Sequence, residues 1–159
     1  MNSLLWGVQI FLALFFLAAG APKILGRGME RWTGFAEMPR AQVVMIGVSE
    51  VLGAMGLVLP MALGIAPWLT PLAAVGLAVI VLMATGFHLR ADERLNALET
   101  ALWASIAAGI AMGRWGVVAG IGGVPTGVLV VGLVVLAAAA IVNVVVLLRR
   151  PVNDVAISE

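Results

Sequence analysis

The sequence predicts an all-α, polytopic transmembrane helical bundle, and two observations carry that class. Hydrophobic residues make up 63% of the 159 positions and charged residues only 11%, against roughly a quarter charged in soluble domains. The apolar residues are gathered into long runs of helical length, not into the alternating segments of ~10 residues that a membrane β-barrel requires. A chain this small cannot hide so much apolar surface in its own core, whereas lipid accepts it.

Each span needs about 20 residues to cross ~30 Å of hydrocarbon. The first covers about Leu4–Ala21 and is expected to stop at Pro22 and Lys23. A secretory signal is the rival reading of this run, but it lacks a positive flank and Pro22 would follow the cut. The second span is about Ala41–Leu59, interrupted by Ser49 and Glu50 and stopped by Pro60. A short turn, Pro60 to Pro67, leads to the third, about Trp68–His88, and the fourth covers about Ala97–Trp115. Gly116–Val124 reads as a glycine-rich link, and Pro125 suits the first turn of a fifth span, about Pro125–Leu148, closed by Arg149 and Arg150.

Charge tests the count. With five spans, Lys23, Arg27, Arg31, Arg40, Arg90, Arg94, Arg149 and Arg150 fall on one side and only Arg114 on the other. With four spans Arg149 and Arg150 cross over and the asymmetry weakens. The positive-inside rule makes the rich side cytoplasmic, so the topology expected is N-out/C-in. Trp6, Trp68 and Trp115 all fall at span ends on the outer side, where indole rings favour the interface. Between the first two spans, Met29, Trp32, Phe35 and Ala36 recur at helical spacing opposite Glu30, Arg31, Thr33 and Glu37. Two readings fit this loop: a short interfacial helix, or an irregular segment with anchoring aromatics.

Several chemistries are excluded. Without cysteine, the chain alone supplies no thiolate nucleophile, disulfide exchange, iron–sulfur cluster or thiolate zinc site. A single histidine, His88, excludes bis-histidine haem ligation, so no intrinsic metal or cofactor is expected. No basic patch with interleaved aromatics points to nucleic acid.

Ionisable groups inside hydrocarbon cost roughly 2.5–3.5 kcal/mol each on insertion scales, so each needs a partner or a purpose. Glu50 is deepest, about nine residues or ~13 Å into the second span. Antiparallel spans bring Lys23, Glu50, Thr85, His88, Glu99 and Asn143 to one depth band. Lys23, Glu50 and His88 form the expected buried polar site, with Thr85, Glu99 and Asn143 as contributors. The cluster is either structural, Glu50 being neutral or paired with Lys23, or a polar pocket open to the cytoplasmic leaflet. The spacings Ser49-x-x-x-Gly53 and Gly109-x-x-x-Gly113 predict close helix packing within the bundle, with homo-oligomerisation as the alternative.

Four short motifs, taken together, resemble the DoxX-like membrane proteins. Phe16, Ala19, Gly20 and Lys23 match an F-x-x-A-G-x-x-K signature at the end of the first span. Gly34, Phe35 and Pro39 match the loop before the second helix. Glu50, Gly53 and Ala54 match E-x-x-G-A, and Thr85, His88 and Leu89 match the end of the third helix. The resemblance covers about residues 4–116 and implies a four-helix bundle with Lys23, Glu50 and His88 at its characteristic positions. Some DoxX-like proteins are linked to thiosulfate:quinone oxidoreductases or to membrane redox complexes. The organisation expected is a four-helix core over 1–116, a link and an additional transmembrane helix over 117–150, and a short cytoplasmic tail over 151–159. The fifth span departs from the family's four.

Three functions compete. The first is an accessory subunit of the cytoplasmic (inner) membrane that anchors or assembles a larger redox complex, with membrane proteins as partners. The second is a quinone-linked oxidoreductase component, in which Glu50 and His88 exchange protons with a bound quinone and Lys23 steadies an anionic intermediate. The third is a small-molecule or lipid carrier using Glu50 as its protonatable site. The sequence lacks the inverted repeat common in carriers, and no residue set completes a catalytic centre.

Overall fold

The computed structural model describes residues 2–27 and 38–120 continuously, with isolated positions between 123 and 145. Four helices run in order: α1 (Asn2–Leu25), α2 (Arg40–Leu63), α3 (Leu69–Arg90) and α4 (Arg94–Gly120). All four are long and apolar enough to cross a membrane, and at 22 to 27 residues each they measure about 33–40 Å. The candidate interfacial helix at 28–37, Asn143, most of the expected fifth span and the expected tail lie outside the described residues.

Successive helices are antiparallel neighbours, and α4 returns to α1 to close the ring. The α3/α4 and α1/α2 faces are the most extensive and the α1/α4 seam is the slimmest. Leu12, Phe16, Leu57, Leu77 and Ile110 fill the centre among Ala54, Ala74 and Ala107, small residues that let backbones approach without a hydrophobic drive between helices. Outside, Leu14 is 61% exposed, Leu52 61% and Met112 79%. Such a surface is stable against lipid and not against water.

The helices overrun their expected ends. α1 continues through Pro22 to Leu25, and α2 through Pro60 to Leu63. A proline deletes one backbone donor and strains one turn, and where water is absent that costs less than unwinding the turns beyond it. The true stop of α2 is Gly64, at φ 67°, the left-handed position glycine takes without a Cβ penalty. α4 begins at Arg94, three residues early, and passes through Gly116 to Gly120, so the glycine-rich link is partly helical. A lone helical glycine costs only about 1 kcal/mol, and buried Arg114 and Val118 hold this last stretch against the bundle.

Glycine sets the α1/α2 distance. A Cβ on Gly20 would lie 2.8 Å from the Gly47 carbonyl oxygen, and one on Gly47 would lie 2.7 Å from that of Gly20. Of the glycines expected to pack, Gly53 faces the Leu77 side chain and Gly113 that of Leu5, whereas Gly109 has open space around it.

Candidate functional site

The backbone contact between Gly20 and Gly47 positions the first polar pair. One turn beyond it, Lys23 Nζ donates to Glu50 Oε1 at 2.7 Å and to Glu50 Oε2 at 2.6 Å. Both side chains are only 8% exposed. The lysine sits near the end of α1 but turns its stem into the α1/α2 interface, and the carboxylate takes both bonds from deep in α2. Geometry of this kind offsets much of the desolvation that each charge would suffer alone. Above the pair, Arg40 Nη1 donates to the Lys23 carbonyl at 2.6 Å and Nη2 to that of Ile24 at 2.7 Å. These are the orphan acceptors of a helix C-terminus, and a cation there also suits the helix dipole.

Neighbouring polar groups at this end are divided among separate contacts. His88 Nδ1 lies 2.6 Å from Glu93 Oε2 across the α3/α4 turn, and Asn96 donates to the same oxygen at 3.2 Å. Asp92, at φ 56°, supplies the left-handed step that folds this turn back. Thr85 Oγ1 donates to Thr100 Oγ1 at 2.9 Å, tying α3 to α4. Glu99 accepts from Trp103 Nε1 at 3.2 Å on the exposed side of α4. The structure therefore brings Lys23 and Glu50 into direct contact. His88, Thr85 and Glu99 share their end of the bundle, each hydrogen-bonded to another partner.

The opposite end holds a second buried polar group that the apolar pattern of the sequence conceals. Gln9 is fully buried in α1. Its Nε2 donates to the Leu57 carbonyl at 2.7 Å, and its Oε1 accepts from Arg114 Nε at 2.6 Å. Arg114 Nη1 donates to Asn2 Oδ1 at 2.6 Å, and the guanidinium carbon lies 5.4 Å from the Trp6 ring centroid, within cation–π range. Arg114 itself is 7% exposed. The relay runs from α2 through α1 to α4, and it fastens the slim α1/α4 seam.

Between α3 and α4 lies an outward-facing groove of about 490 Å³, lined by apolar side chains including Val75, Ala78, Leu82, Ala111, Met112 and Trp115. It is separate from both polar groups and carries no side chain suited to acid–base work.

No curated protein and no solved structure matches the chain. The profile of the DoxX-like family matches residues 7–110, a stretch containing Lys23, Glu50 and His88 and most of the four-helix ring. On that match, covering well over half its length, the chain belongs to the DoxX-like family.

Proposed function

We propose that this protein is an integral-membrane accessory subunit that anchors or assembles a larger, redox-linked complex in the cytoplasmic membrane. The closed Lys23–Glu50 pair carries the reading: the deepest charges of the core hold two of its helices together, with both carboxylate oxygens taken by one ammonium. A carboxylate so engaged serves packing first, and His88, the natural proton-exchange companion, is hydrogen-bonded to Glu93 instead. The redox association rests on the likeness to DoxX-like proteins linked to quinone-dependent enzymes.

The proposal includes five spans with the N-terminus outside. In support, Lys23, Arg27, Arg40, Arg90 and Arg94 lie at one end of the four-helix ring, and Arg114 and the three indoles at positions 6, 68 and 115 at the other. A reporter fused after Glu159 is expected to read as cytoplasmic and a tag before Met1 as external. Both ends reporting one side would remove the fifth span.

Purification of the tagged protein in mild detergent tests the role. A stoichiometric membrane-protein partner, retained through size exclusion, is expected. A chain that purifies alone with bound quinone, or that drives solute uptake in liposomes, would refute the anchoring role.

A further inference from the structure

At the arginine end, a buried cation has only neutral partners among the described residues. Arg114 Nε is fixed by Gln9, and Gln9 is fixed in turn by the Leu57 carbonyl, so the guanidinium plane is set from below. Trp6 lies against it. Nη1 rests on the side-chain oxygen of Asn2, an exposed residue at the very start of α1. Nη2 is buried and has no hydrogen-bond partner among the described residues.

Among the described residues, no carboxylate lies near this cation. Of its eight acidic residues, Glu50, Asp92, Glu93 and Glu99 lie on elements at the opposite end. Glu30, Glu37, Asp154 and Glu159 lie outside the described residues. Removing an ion from water without a counter-charge is costly, and a buried donor left unmade adds to that cost. An exchangeable neutral acceptor on one prong and an empty second prong, with the third nitrogen locked, describe a fork prepared for a bidentate oxyanion.

We propose that Arg114 binds a phosphate-type oxyanion at this end of the bundle, the anion displacing the Asn2 amide and engaging Nη1 and Nη2 together. Arg114 lies six residues from the end of α4, or ~9 Å along the helix axis. At that depth, with exposed Asn2 as the group to be displaced, a phospholipid headgroup and a phosphate from the adjoining water are the two sources the proposal admits. The phosphodiester of an anionic lipid and free phosphate present the same pair of oxygens, so the source is settled by experiment.

The full chain in dodecyl maltoside would be titrated with short-chain phosphatidylglycerol in one arm and with inorganic phosphate in the other. Ionic strength is balanced with chloride, and the melting temperature is read. A saturable rise is expected, and the arm in which it occurs identifies the source. Arg114→Gln should weaken binding at least about tenfold, the scale of one lost charge-assisted hydrogen bond. Arg114→Lys keeps the charge but loses the fork, and should also bind more weakly. Asn2→Ala removes the competing acceptor and should bind more tightly, which keeps the test decisive if Arg114→Gln does not fold. No saturable rise in either arm, an equal rise with chloride, or unchanged affinity in Asn2→Ala would overturn the proposal.

Discussion

The two ends of the bundle bury charge in opposite ways. At one end a lysine meets a carboxylate, and the pair is neutral as a unit. At the other an arginine meets two side-chain amides and an indole ring, and no carboxylate among the described residues meets it. Both arrangements join helices, yet they differ in what removal of one member leaves behind. Breaking the first strands a full charge in the low-dielectric interior. Breaking the second strands dipoles, or frees an arginine held by neutral groups. A membrane bundle can thus use charge either as a closed internal fastening or as a fixed potential directed at something outside the chain.

That contrast orders the expected effects of substitution. Lys23→Met and Glu50→Gln each leave the partner buried without a counter-charge, and each should cost roughly 3–5 kcal/mol of stability in detergent. A single variant that unfolds like the wild type would mean that water reaches the pair. Gln9→Leu removes a neutral group, but it leaves Arg114 Nε and the Leu57 carbonyl without that bond. Its expected cost is about 1–3 kcal/mol, and a stability equal to wild type would show that the relay does not hold the seam. Gly47→Ala drives a methyl towards both the Gly20 carbonyl and the Lys23 Cβ, each within 2.8 Å. Backbone cannot yield as a side-chain tip can, so a loss of about 1–3 kcal/mol is expected. Gly109→Ala, in open space, should gain up to about 1 kcal/mol from helix propensity. Thermal unfolding of the two alanine variants separates close approach from mere glycine content.

Most of the four-helix frame and one half of this contrast were legible in the sequence. Lys23 and Glu50 stand out because a charge inside an apolar run has few innocent explanations, and antiparallel spans of known length fix their depth. Gln9 does not stand out: a neutral amide one or two turns inside a span has the same local pattern as one facing headgroups. Arg114 reads as an ordinary end-of-span charge, since its partners Gln9 and Asn2 are 105 and 112 residues away in the chain. His88 falls at the expected end, but its bond to Glu93 depends on a turn whose left-handed Asp92 no hydrophobic periodicity encodes. The helices run past Pro22, Pro60 and Gly116, residues that break helices in water, because in lipid an unwound turn costs more than a lost bond.

The double variant Lys23→Met/Glu50→Gln, set against its two singles, tests the central claim most directly. If the pair is a closed fastening, the double variant should lose less than either single, giving a coupling energy of at least about 3 kcal/mol across the cycle. Losses that simply add would contradict the account, showing that Lys23 and Glu50 act separately and that the bundle is not held at that end by their mutual neutralisation.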